Sequence, residues 1–173
     1  PQITTANAIL TLQNEKGKTT KQDLRITVYE WQNKEKIVYS KEIKGVSLNK
    51  GMNELKIPIS APEAKLWSVD DPNLYVCEVE LSEGKNWVDK DSRRFGFRWF
   101  EASGIGEDAV FRLNGKRIML RSAISWSFWP VNGIFPSEEL AERQIRIAKE
   151  LGLNMLNFHR FIGNTDVMNY ADE

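Results

Sequence analysis

The sequence predicts a mainly β chain: an immunoglobulin-like antiparallel β-sandwich over residues 1–103, then, over residues 104–173, the first β/α units of an incomplete (β/α)8 barrel. Three observations carry this. From residue 6 to about residue 100 apolar side chains recur with period two, in short runs broken by Gly, Asn, Asp and Lys, the pattern of half-buried antiparallel strands. No helical patterning separates those runs, and about seven short strands at even spacing suit a sandwich. After Gly104-Ile105-Gly106 the pattern changes to strand, helix, strand, helix, as in parallel βαβ units.

Ala8 to Leu12 reads as the first strand, followed by a turn at Asn14-Glu15-Lys16-Gly17, with Lys16 to Lys21 forming a solvated hairpin tip. Asp23 to Trp31 sets Leu24, Ile26, Val28 and Glu30 on one face against Arg25, Thr27, Tyr29 and Trp31 on the other. Lys36 to Ile43 and Asn53 to Ile59 follow, the second with Leu55, Ile57 and Ile59 in strict alternation. Leu74 to Leu81 and then Asn86 to Phe100 close the sandwich, with Trp31, Trp67, Trp87 and Trp99 expected in its core. Beyond the linker, Val110–Leu113 and Arg117–Leu120 flank Asn114-Gly115, a strong hairpin signal because both turn residues tolerate positive φ. Ser137 is placed to cap a helix with Glu138 and Glu139 in its first turn, where the helix dipole favours negative charge. Leu140, Ala141, Ile145, Ala148 and Leu151 fall at helical spacing, and Gly152 suits a left-handed terminus. Leu153 to Phe158 is then a buried strand, and Asn164 or Thr165 caps a second helix. Two βα units are too few to close a barrel, which takes about 250 residues, so the chain reads as cut from a longer protein.

Composition excludes several classes of function. The 24 basic and 24 acidic residues cancel, which leaves no basic stripe for nucleic acid and no charge bias toward a membrane surface. No apolar run reaches the length of a spanning helix, and the N-terminus lacks a secretory signal. Cys77 is the only cysteine, so there is no internal disulfide, and with a single histidine no metal site is expected. No cofactor is implied. The compartment stays open; a periplasmic or secreted bacterial setting is compatible with it.

Three blocks then resemble one family in the family's own order. Leu66-Trp67-Ser68-Val69-Asp70-Asp71-Pro72-Asn73-Leu74-Tyr75 resembles the "LWSPENPNLY" signature of glycoside hydrolase family 2, and Arg94-Phe95-Gly96-Phe97-Arg98 resembles its "RFGFR". Phe111 to Arg121, reading FRLNGKRIMLR, is similar to the "FxLNGKPxxLRG" that opens the family's catalytic barrel. The resemblance implies a retaining exo-β-glycosidase of the β-galactosidase, β-glucuronidase or β-mannosidase kind. Its double displacement needs two carboxyl groups roughly 5–5.5 Å apart. In the family these are glutamates on later barrel strands, so no catalytic residue is assigned here and the chain alone is expected to be inactive. Where the family's β-galactosidase and β-glucuronidase members usually read "LRGVNRHE", this sequence has Leu120-Arg121-Ser122-Ala123-Ile124-Ser125-Trp126. Loss of the Asn and His argues against an ordinary β-galactosidase pocket, because hydroxyl recognition relies on placed polar groups, and points to a mannosidase- or glucosaminidase-like relative or a divergent branch.

Five residues are candidates for substrate binding: Trp126, Trp129, Asn157, His159 and Arg160. Aromatic faces hold the C–H faces of sugars, so of Trp126 and Trp129 one is expected to line a subsite and the other to pack. His159 stands at a strand end for either a sugar contact or a backbone hydrogen bond, and Arg160 for either a sugar or a rim ion pair. Asn157 stands where the family's "VRxSHYP" has its Arg. Asp70-Asp71 and Glu138-Glu139 are read as turn and helix residues without catalytic role. The expected partner is a carbohydrate, with self-association through the incomplete barrel; the alternative is a noncatalytic carbohydrate-binding or adhesion sandwich.

Overall fold

The computed structural model describes residues 4–84 and 86–173. The chain divides into two compact units, one comprising the sequence up to Trp67 with Asn73–Phe97, the other Ser68–Pro72 with Arg98–Glu173.

In the first unit six strands form an antiparallel β-sandwich: β1 (Thr5–Asn14), β2 (Thr20–Glu30), β3 (Asn33–Leu48), β4 (Gly51–Ser60), β5 (Tyr75–Glu83) and β6 (Asn86–Phe95). The sheets are β1-β4 and β3-β2-β5-β6. Strand β2 is central, and its Leu24, Ile26 and Val28 are fully buried in one cluster with Ile57 and Ile59 of β4. Alternation on these two strands therefore builds the core.

Four expectations are corrected. Strands β1 and β2 lie in different sheets, so residues 15–19 cross between sheets and are not a hairpin tip. Buried Asn14 organises that crossing, its Nδ2 donating to Lys18 O and Leu48 O at 3.1 and 2.9 Å while its Oδ1 accepts from Lys16 N. Strand β3 continues five residues beyond Ile43 through a bulge, in which Lys44 and Gly45 (φ 65°) oppose Asp23 and Gly45 N donates to Asp23 Oδ1. Strand β6 stops at Phe95, where Phe97 leaves the ladder to bridge Leu66. None of the four tryptophans expected in the core is fully buried. Trp87 is 38% exposed beneath the Arg25 guanidinium, and Trp31 carries that of Arg94. A cation over the face of an indole suits a rim better than a dry core, and Tyr75 and Phe97 take the interior positions.

In the second unit β7 (Phe100–Ser103), β8 (Val110–Leu113) and β9 (Lys116–Ile118) form an antiparallel sheet, so β7 pairs beyond the Gly104–Gly106 linker. Asn114 and Gly115 have φ of 54° and 76°, the two positive angles of a type I′ turn. Strand β10 (Ser122–Ser125) then pairs in parallel with β11 (Met155–Phe158), joined by α1 (Glu138–Glu150) and followed by α2 (Thr165–Asp172). Ser137 Oγ caps α1 by accepting from Leu140 N, and Asn164 caps α2. Ala141 and Ile145 pack with Val167, Leu156 and Phe158. Two details depart from the pattern: Leu151 is exposed, and β11 alternates exposed and half-buried residues where a buried strand was expected.

Candidate functional site

Alternation sorts the parallel pair into two faces. Ala123, Ser125, Leu156 and Phe158 share one, and Leu156 and Phe158 are held there by the helical cluster. The opposite face carries Ile124 and, directly across in register, Asn157, both exposed. One step further along that face stand Trp126 and His159. The ladder extends this far, since His159 N donates to Ser125 O at 2.9 Å, and the two rings meet with centroids 4.3 Å apart at 57°. Trp126 is 64% exposed. The face thus ends, at the C-terminal edge of both strands, in an aromatic pair beside an amide.

Among the five sequence candidates, Trp126, Asn157 and His159 therefore share one face. Trp129 does not join them. Its N and O both bond Gly133, closing a tight loop, and its ring packs on the cluster of Ala141, Ile145 and Val167. Arg160 follows His159 in the left-handed region (φ 55°) with its side chain exposed.

Three residues the sequence did not single out lie directly behind the pair. Ser125 Oγ accepts from Gln144 Nε2 at 2.9 Å and from Ser127 N at 3.3 Å. Ser127 is buried with φ 50°, and its Oγ and Gln144 Oε1 have no partner among the described residues. Gln144 could have been noticed as a polar residue beside Ala141, Ile145 and Ala148 on the apolar stripe of α1; the turn at Ser127 has no sequence signal.

Other chemistry-bearing groups sit in the sandwich. Glu78 is buried on β5 and meets Lys90 at 2.7 Å, Lys34 at 3.3 Å and the Tyr29 hydroxyl at 3.2 Å. Burial pushes its carboxyl up, but the two lysines outweigh this and hold it below the usual glutamate value, so it stays ionised. Burial pushes the Cys77 thiol up, which keeps it protonated. A groove of about 580 Å³ runs between β1 and β6 over Leu10, Val79, Leu81 and Phe95. No group of three or more His, Cys, Asp or Glu able to hold a metal occurs among the described residues, and none of their helices is long and apolar enough to cross a membrane.

Residues 1–98 match the family model described as Glycosyl hydrolases family 2. A putative beta-glucuronidase of Formosa agariphila is 32% identical over 109 residues, 63% of this chain and 13% of that protein. A beta-galactosidase of Thermoanaerobacterium thermosulfurigenes is 30% identical over 112 residues, 64% of this chain and 15% of that protein. Among solved structures, a glycosyl hydrolase family 2 member from Bacteroides cellulosilyticus superimposes with a TM-score of 0.85 at 26% identity, over 97% of this chain and 22% of that one. The Parabacteroides merdae beta-glucuronidase does so at 0.70 and 30%, over 88% and 19%. The chain thus spans less than a quarter of each of these relatives.

Proposed function

Because the chain belongs to glycosyl hydrolases family 2, we propose that it is the linking and barrel-opening part of a retaining exo-β-glycosidase acting on terminal β-linked sugars. In this reading residues 1–103 are an immunoglobulin-like domain and residues 104–173 the N-terminal portion of a (β/α)8 catalytic barrel. The acid/base and nucleophile glutamates belong to later strands, so the chain by itself turns nothing over. Its contribution to the site is the face bearing Trp126, Asn157 and His159, with Arg160 at the rim, while Trp129 serves packing.

The observation that carries the reading is the parallel β10-α1-β11-α2 order with the Trp126–His159 pair at the C-terminal ends of its strands. In (β/α)8 enzymes that end of the strands is where substrate is handled. Trp126, 64% exposed, offers a stacking surface for a sugar's C–H face, and Asn157 and His159 supply hydrogen-bond groups. The matched relatives are described as beta-glucuronidase and beta-galactosidase, which makes the glucuronide and the galactoside the first substrates to assay. Arg160 favours a carboxylate-bearing sugar, whereas Ile124 and Trp126 stand where the family's β-galactosidases and β-glucuronidases alike usually carry Asn and His, so a β-mannoside and a β-glucosaminide join the assay. In the same reading, the exposed Ile124, Phe128 and Phe135 give the isolated chain a tendency to self-associate.

The test is kinetic. In the complete enzyme, Trp126→Ala and His159→Ala should each lower kcat/KM on the preferred nitrophenyl β-glycoside by about tenfold or more, the size of a lost stacking or hydrogen-bonding contact. Unchanged kinetics in both, or true turnover by residues 1–173 alone, would overturn the reading.

A further inference from the structure

The exposed Trp126–His159 contact is made by two residues outside regular structure, so something must hold it. We propose that Ser125, Ser127 and Gln144 are positioning residues for this pair, a buried polar clamp that ties the strand-end turn to helix α1.

Ser125 is the hub. Its carbonyl oxygen accepts from His159 N at 2.9 Å, which fixes one partner of the pair through its backbone. Its hydroxyl accepts from Ser127 N at 3.3 Å and from Gln144 Nε2 at 2.9 Å. Trp126 lies between the two serines. The bond from Ser127 N to Ser125 Oγ therefore closes a short turn around Trp126, and with Ser127 at φ 50° that turn reverses the chain immediately after the indole. A non-glycine residue is seldom found in this region unless its surroundings impose it. Here the imposing group comes from α1, where Gln144 stands beside the buried Ala141 and Ile145 and reaches the turn from a rigid element.

Stability alone does not account for the arrangement. Ser127 is 2% exposed, and neither its Oγ nor Gln144 Oε1 has a partner among the described residues. Buried polar groups are nearly always satisfied, and the exceptions gather where a fold gives up stability for function. An apolar side chain at 144 would pack on the same cluster at lower cost, but it could not hold the Ser125 hydroxyl. The inference rests on the sugar-contacting reading only for what the clamp is for; that the clamp sets the ring contact stands apart from it.

The protein has a single histidine, so its imidazole C–H proton resonances report on His159 alone, and the Trp126 ring current displaces them from their free positions. Trp126→Ala supplies the undisplaced reference. Gln144→Ala and the isosteric Gln144→Glu, which lacks the Nε2 donor, should each lose at least half of the displacement, whereas Ser127→Gly, which accepts the left-handed backbone, should keep most of it. If Gln144→Ala fails to fold, Gln144→Glu carries the test. Wild-type histidine resonances in folded Gln144→Glu would overturn the clamp. In the complete enzyme Gln144→Glu should then raise KM several-fold with kcat less affected; a lost displacement with unchanged KM would leave the clamp standing and remove the sugar contact instead.

Discussion

Gly96 offers the sharpest test of how the sandwich is held together. It lies between Phe95 and Phe97, and a Cβ built on it would sit 2.7 Å from Trp67 Cβ, 3.0 Å from Cγ and 3.1 Å from Cδ1. The nearest of these atoms is bonded directly to the Trp67 backbone, so no rotamer change moves it away. The backbone is itself pinned: Trp67 N donates to Phe97 O at 2.9 Å, and Leu66 bridges Phe97. Nor can Phe97 yield, because it is buried against Tyr75 and Phe95 with ring centroids 5.4 and 4.9 Å away. Gly96→Ala must therefore push two strand ends apart, which should cost about 2 kcal/mol, in the range for inserting a methyl into a packed core. For a unit of this size that corresponds to roughly 8–16 °C in melting temperature. Urea unfolding followed by far-UV circular dichroism should show a lowered midpoint with unchanged slope. Gly17→Ala is the control, since nothing lies within 4 Å of its Cβ position, and it should stay within about 0.5 kcal/mol of wild type. A Gly96→Ala protein as stable as the control would show that the close approach is not the reason for the glycine.

Glu78 has a folded-state carboxyl below its unfolded value, so its contribution to stability is present above the unfolded pKa of about 4.3 and is lost as pH falls through the lower folded one. Urea midpoints measured from pH 6 to pH 2.5 should therefore fall, and Glu78→Gln should flatten that limb and cost about 1 kcal/mol at pH 7, a small figure because the lysine partners are solvated. Ser137→Ala removes the cap on α1 and should cost about 1 kcal/mol, read as earlier loss of helical ellipticity on heating, with Ser137→Asp restoring it. Native-state amide exchange should find β2 among the slowest strands, because its core side chains are fully buried, and β10 and β11 faster by at least tenfold, because one face of that pair is exposed.

Sequence legibility followed locality. Strands β2 and β4, the Asn114-Gly115 turn, the Ser137 cap and the Gly152 terminus (φ 74°) are each written in a few neighbouring residues, and each formed where its pattern placed it. The pairing of β1 with β4, across more than 35 residues, carries no local signal, so an adjacent hairpin with β2 was the natural but mistaken reading. The bulge at Lys44 and Gly45 shifts the alternation of β3 by one residue, which is why the strand seemed to end at Ile43. At the site, the residue types of Trp126 and His159 were legible, but their contact is a product of parallel register. That Trp129 rather than Trp126 packs was not, because both lie in an aperiodic loop and the contact of Trp129 with Ala141, Ile145 and Val167 is made across the tertiary fold.

The first two family-like blocks, with Lys65 just ahead of them, clasp one another. Lys65 N donates to the Tyr75 hydroxyl at 2.7 Å, Asn73 Nδ2 donates to Leu66 O at 3.1 Å, Trp67 N bonds Phe97 O, and the Tyr75, Phe95 and Phe97 rings interlock. At interior packing density each of those side chains has one shape that fits, so the motif specifies a sandwich and says nothing about a sugar. The face bearing Ile124, Trp126, Asn157 and His159 takes no part in that clasp: in this chain Ile124, Trp126 and Asn157 are exposed and belong to neither hydrophobic cluster. On the proposed reading, family membership and substrate identity are therefore written in different residues, and exchanging Trp126 and His159 for the residues of a relative should move sugar preference while leaving the unfolding midpoint of the sandwich where it is.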